Sequence, residues 1–129
     1  MSPRPTLTDK EYRHLYVEEH INNGLAFQIR ALREIRGWSQ TELGARTDLP
    51  QAVIAQFENP DYGRYTLAAL KRLGDAFDVA LVVRFVPFSA FNEWTDNITP
   101  ERLAPLSYTE ERRIVSAARQ LTKKSRATE

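Results

Sequence analysis

The chain has 129 residues, 42% of them hydrophobic and 27% charged, and this composition can fold as one compact domain with short extensions. Its lack of cysteine excludes disulfides and thiolate metal sites, and no segment approaches the roughly 18 to 20 consecutive apolar residues of a membrane span. We therefore expect a soluble cytoplasmic protein, while the net charge of +1 alone does not indicate a nucleic-acid partner.

Residues 1–23 predict a helical extension ahead of the main domain. Thr8 and Glu11 have the spacing of a capping box, which favours a helix start at this position. The helix is expected over about residues 9–22, because the sequence NNG at residues 22–24 interrupts helices.

Enzymatic chemistry has little support in this sequence. The two histidines, His14 and His20, lie six residues apart, which is not the spacing of metal ligands on one helical face. No glycine-rich phosphate loop and no nucleophile motif occurs. We therefore expect no catalytic site, no metal and no cofactor.

The central part of the chain predicts four short helices, marked by capping residues and by apolar residues at helical spacing. They are expected from about Leu25 to Gly37, from Ser39 to about Thr47, from Pro50 to about Glu58, and from Thr66 to Phe77. The second and third of these are close enough in sequence to form a helix-turn-helix, in which the second helix enters the DNA major groove.

The sequence details of residues 39–59 fit this motif. Gly44 supplies the small residue needed where the two helices cross, at a cost of roughly 1 kcal/mol in helix propensity. Asp48 stands in the turn, where a left-handed backbone is required, and aspartate tolerates that conformation. The buried positions of the motif are filled by Leu43, Leu49, Ile54 and Phe57.

On these residues, segment 25–81 resembles the lambda-repressor-like, XRE family of helix-turn-helix proteins. The matching sequences are LREIRGWSQTELGARTDLPQAVIAQFEN and TLAALKRLGDAFDVAL. The resemblance implies a mainly α-helical domain that binds double-stranded DNA as a transcriptional regulator.

The resemblance implies that the third helix reads bases. Gln51 occupies its first outward position, where glutamine can pair with adenine, and Ala52 and Gln56 are expected to make secondary base contacts. Two features depart from the family. Pro50 replaces the usual Ser or Thr cap, and residues 50–58 contain no Arg or Lys.

The resemblance also implies contacts to the DNA backbone, and these fall on Ser39, Gln40, Asn59 and Arg64. Such contacts position a protein on the duplex without reading its sequence. A structural ion pair is implied between Arg33 and Glu58.

Residues 79–88, with the sequence VALVVRFVPF, predict one β-strand, because they are β-branched or aromatic with a single charge. A lone strand needs a hydrogen-bonding partner, so we expect dimerisation through it. The dimer contacts would be made by Val79, Leu81, Val83 and Phe85. Pairing with residues 3–8 or with the segment near Ile98 of the same chain is the alternative.

The C-terminal extension, residues 92–129, predicts a helix and a basic tail. Ser107 and Glu110 form a capping box, and apolar residues recur from Ile114 to Leu121. From Thr109 onward six basic residues face three acidic ones, a net charge of +3. This tail could lie along DNA phosphates or serve only solubility.

The predicted fold is therefore mainly α: a helix-turn-helix domain at residues 24–91 that ends in one C-terminal β-strand, followed by a helical tail. The predicted function is a dimeric repressor that binds a pseudo-palindromic operator. The alternative is an antitoxin that represses its own operon and binds a toxin protein through its extensions.

Overall fold

The structure is a computed structural model that describes residues 6–127, and the side chains of all of these except 100, 101 and 127. Seven helices form this part of the chain: α1 (Lys10–Ile35), α2 (Gln40–Thr47), α3 (Gln51–Phe57), α4 (Leu67–Phe77), α5 (Phe88–Asp96), α6 (Pro100–Leu103) and α7 (Tyr108–Ala127). The mainly helical architecture predicted from the sequence is present.

The first helix differs from its prediction in two respects. It starts after Asp9, whose carboxylate accepts hydrogen bonds from two backbone amides of the first turn, so Thr8 is not the cap. It also runs without interruption through residues 22–24. Asparagine and glycine cost only about 1 kcal/mol or less each within a helix, and packing of Ala26 and Ile29 in the core outweighs that cost.

The hydrophobic core lies between the C-terminal half of α1 and helices α2, α3 and α4. Its buried members are Ala26, Ile29, Leu32, Leu43, Ile54, Phe57, Ala69, Leu73 and Phe77. Arg36 closes one end of this core, because its guanidinium donates to the carbonyls of Leu32 and Phe77 at 2.8 and 2.6 Å. Burial lowers the pKa of Arg36.

The predicted C-terminal strand is not found: no β-strand occurs in residues 6–127. Residues 79–87 have no regular secondary structure, and Phe88 belongs to α5, which Pro87 caps. A β-branched sequence becomes a strand only where another segment pairs with its backbone, and the segment near Ile98 does not do so. Half of the other candidate, residues 3–8, lies outside the described part, and the described half, residues 6–8, forms no strand.

The C-terminal helices attach to the body at few points. Helix α5 lies against α1 through Phe91, whose ring meets Tyr16 edge-on at 6.0 Å between centroids. Helix α7, the predicted helical tail, is held at its first turn, where the Tyr108 amide donates to the Asp78 carbonyl at 2.9 Å. Ser107 caps α7 by accepting from the amide of Glu110. None of the helices in the described part is long and apolar enough to cross a membrane.

Candidate DNA-binding surface

Helices α2 and α3 pack closely where they cross. A Cβ atom at Gly44 would lie 2.5 Å from the backbone oxygen of Leu49, so only glycine fits there without a shift of the backbone. Leu43 and Ile54 are completely buried at this crossing. The close packing inferred from Gly44 is confirmed, and it fixes the angle at which α3 leaves the turn.

The turn between α2 and α3 depends on one left-handed residue. Asp48 ends α2 with φ 57° and ψ 41°, the conformation expected for this position. The Leu49 amide then donates to the Gly44 carbonyl at 2.9 Å. Pro50 occupies the N-cap position of α3, and no side chain caps this helix start.

The start of α2 presents a capped helix end. The Ser39 hydroxyl accepts a hydrogen bond from the amide of Glu42 at 3.0 Å. The Glu42 carboxylate does not complete the capping box, since it pairs with Arg46 at 2.9 Å. Arg46 in turn lies over the Trp38 ring, 4.0 Å from its centroid. Sequence reasoning missed this contact, whose only signal was the aromatic residue just before the cap.

The outward face of α3 is formed by Gln51, Ala52 and Gln56, which are all exposed, while Ile54 and Phe57 on the opposite face are buried. The side-chain amide of Gln51 donates from Nε2 to Oε1 of Gln40 at 2.8 Å. The leading base reader and the leading phosphate contact of the sequence analysis thus lie side by side. The sequence alone gave no sign of this hydrogen bond.

A polar network connects this surface to α1. The guanidinium of Arg33 donates to both carboxylate oxygens of Glu58, at 2.7 and 2.9 Å, and the two side chains are only 13% and 5% exposed. This hydrogen bonding raises the pKa of Arg33. The same carboxylate accepts a longer hydrogen bond, 3.5 Å, from Nε2 of Gln40. Gln51 is therefore supported through Gln40 and Glu58 by the first helix.

The loop after α3 is exposed at both positions named for backbone contacts, Asn59 and Arg64. Asn59 forms a local turn by accepting from the amide of Asp61 at 3.0 Å. Tyr65 anchors the loop, because its hydroxyl donates to the carbonyl of Phe57 at 2.7 Å. Burial raises the pKa of Tyr65.

The four residues named for dimer contacts differ in their surroundings. Val79 packs against the core, whereas Leu81, Val83 and Phe85 are exposed, the last of them fully. The structure places these three on an open segment between α4 and α5. We call residues 81–85 the apolar segment.

Comparison with known families gives one result. A family model described as helix-turn-helix matches residues 29–83, a range that contains α2, the turn, α3 and α4. This family is a DNA-binding regulatory domain and not an enzyme family. No curated protein and no solved structure shows significant similarity to the chain.

Proposed function

Because this chain belongs, through residues 29–83, to the XRE or lambda-repressor-like family of helix-turn-helix transcription regulators, we propose that it is a cytoplasmic repressor that binds a pseudo-palindromic operator as a dimer. The observation that carries this proposal is the solvent-exposed face of α3. Gln51 stands on that face and is oriented by a hydrogen bond from a neighbouring helix. A base-reading helix needs such an orientation, because bidentate contacts tolerate little misplacement.

The proposed base contacts follow from the hydrogen-bonding capacity of Gln51. One N–H of its amide is used by Gln40, so its oxygen and its second N–H remain for N6 and N7 of adenine. Ala52 offers a methyl group to a thymine methyl, and Gln56 lies one turn further along the same face. These three side chains account for the sequence preference.

The proposed phosphate contacts surround the base-reading face. Gln40 retains an amide N–H for a phosphate oxygen, and the positive end of the α2 dipole at Ser39 favours an anion beside it. Asn59 and Arg64 approach the backbone from the loop after α3. Such contacts fix the register of the protein on DNA.

The dimer is proposed through side-chain packing of the apolar segment on a second copy. A fully exposed Phe85 and a 66% exposed Val83 are unfavourable in water, and burying apolar area is worth about 25 cal/mol per Å². Two copies related by a two-fold axis would read half-sites about 34 to 36 Å apart.

The function is tested by selecting duplexes from a random library with the full chain and sequencing those retained. We expect a two-fold symmetric consensus. Gln51→Ala should cost about 1 to 3 kcal/mol and relax the preference at one base pair of each half-site. Arg64→Ala is the matched control, and it should weaken every duplex alike. A uniform loss for Gln51→Ala would contradict base reading by this residue.

The dimer is tested by sedimentation equilibrium of Phe85→Ser. Phe27→Ser is the control, because Phe27 is an exposed phenylalanine of α1, 57% accessible, outside the apolar segment. We expect the dimer to dissociate only in the Phe85 variant. A parent chain that sediments as a monomer contradicts the dimer, and so does equal dissociation of both variants.

The antitoxin function is the second candidate, and exposed apolar residues on α7 favour it. Ile114 and Leu121 lie seven residues apart on one side of α7 and are 57% and 68% exposed. If a toxin gene adjoins the gene of this chain, co-expression should restore growth, and the double substitution Ile114→Ser/Leu121→Ser should abolish that rescue without weakening DNA binding. Rescue by the double variant would contradict a toxin-binding role for these two residues.

A further inference from the structure

One side of α7 (Tyr108–Ala127) carries four positive charges. Arg112, Arg119, Lys123 and Arg126 follow one another at intervals of seven, four and three residues. At 3.6 residues per turn these positions fall within an arc of about 60°, along about 21 Å of the helix. We call these four residues the basic stripe. The two acidic residues of α7 lie outside this arc.

The basic stripe is accessible and uncompensated within the described residues. All four side chains are exposed. Among the side chains that the structure describes, which leave out those of residues 100, 101 and 127, no ion pair includes any of the four. In the helix-turn-helix part, by contrast, Arg30, Arg33 and Arg46 are each paired with a glutamate.

The distribution of charge along the chain sharpens this contrast. Residues 29–83 contain seven basic and seven acidic residues, so the matched family region is neutral. Residues 1–107 as a whole contain twelve basic and fourteen acidic residues, a net charge of −2. Residues 108–129 contain six basic and three acidic residues, a net charge of +3. The net positive charge of the protein therefore comes entirely from the α7 region.

A neutral reading domain binds DNA weakly, because most non-specific affinity comes from cations that displace condensed counterions from phosphates. The helix dipole does not explain the basic stripe, since it favours cations only in the last turn and Arg112 lies near the start of α7. Spacing and exposure suit a line of phosphates, because duplex DNA presents one negative charge per about 1.7 Å of axis.

We propose that the basic stripe binds the phosphate backbone of duplex DNA outside the half-site that α3 reads. This inference rests on the proposed function as a DNA-binding regulator. It assigns sequence preference to α3 and a large part of the affinity to α7.

The test compares two double substitutions on the same helix of the full chain. Arg119→Gln/Lys123→Gln removes two charges of the basic stripe. Arg113→Gln/Lys124→Gln removes two charges about a third of a turn away. Both variants lower the net charge equally, and circular dichroism checks that their helix content is unchanged.

The probe is a duplex of random sequence, with affinity measured from about 50 to about 200 mM salt. The slope of log K against log salt should become shallower by about 2 for each chain in the stripe variant. This variant loses two phosphate contacts, and each contact contributes about 0.9 to the slope. In the control variant, this slope should flatten by less than half as much. Base preference in the random-library selection should be unchanged in both.

Three results would overturn the proposal. If the salt slope flattened equally in both variants, overall charge and not the basic stripe would explain the effect. An unchanged slope in the stripe variant would exclude contact between the basic stripe and the phosphates. Loss of binding to phosphatidylglycerol vesicles with unchanged duplex binding would identify a membrane surface as the partner. In each case, a base preference that still depends on Gln51 would continue to support the proposed function. A parent chain that binds no duplex would contradict both the proposed function and the role of the basic stripe.

Discussion

The region from residue 26 to residue 77 and the region from residue 78 to residue 127 are both largely helical, but they use their helices differently. Every buried residue of the described chain lies in the first region, and none lies in the second. In the first region, apolar side chains pack against one another and hold α2 and α3 in place. In the second, most apolar side chains are exposed, and a row of exposed cations lies on the last helix.

Among the tests of this comparison, the largest expected effect is the loss of stability when the buried Arg33–Glu58 ion pair is removed. Glu58→Ala leaves the Arg33 guanidinium, 13% exposed, without its carboxylate, and we expect about 3 to 5 kcal/mol less stability in urea unfolding. The control Glu34→Ala removes a half-exposed carboxylate that pairs with Arg30 and lies 3.9 Å from Arg33, and it should cost far less stability because water screens these contacts. Similar losses in both variants would contradict the structural role assigned to the Arg33–Glu58 pair.

A matched leucine pair compares the two regions directly. Leu73→Ala empties a core position that is 3% exposed and should cost about 2 to 5 kcal/mol. Leu121→Ala alters a position that is 68% exposed and should change the free energy of unfolding by about 0.5 kcal/mol or less. Both are measured by urea unfolding at low protein concentration. A large loss for Leu121→Ala would show that α7 packs within its own chain.

The smallest effect concerns two aspartates with the same backbone conformation. Asp48 and Asp78 both have φ 57° and end helices α2 and α4. Asp48→Gly should raise stability by less than about 1 kcal/mol, because glycine adopts this conformation without strain. Asp78→Gly gains the same relief but removes a carboxylate that accepts from the amide of Thr109 at 3.4 Å.

We therefore expect helix content, measured by circular dichroism, to fall in Asp78→Gly and not in Asp48→Gly. Equal helix content in the two variants would show that the Asp78 carboxylate does not support the start of α7.

Sequence patterns predicted the first region well because its local signals and its packing agree. Ser39 caps α2 as expected, Asp48 is left-handed as expected, and Gly44 lies at a crossing that excludes a side chain. Apolar spacing marked the buried faces of the same helices. Local preference and tertiary contact reinforce one another in such a region.

The errors have a common physical origin, which is contact between distant parts of the chain. Residues 79–88 have strand-forming side chains, but no described segment supplies backbone partners, so no strand forms. Residues 22–24 look like a helix break, yet α1 continues because packing beyond them holds it together. The hydrogen bond between Gln51 and Gln40 likewise depends on how two helices cross, which spacing alone does not reveal.

Asp78 determines where the last helix, α7, is attached to the rest of the protein. Its carbonyl and its carboxylate both receive amides from the first turn of α7, so a single residue joins that helix to the end of α4. A helix of 20 residues is a lever of about 30 Å, and a rotation of about 10° at its base moves the tip by about 5 Å. Because both hydrogen bonds lie at the first turn, such a rotation would move the far end of α7 and leave α3 in place.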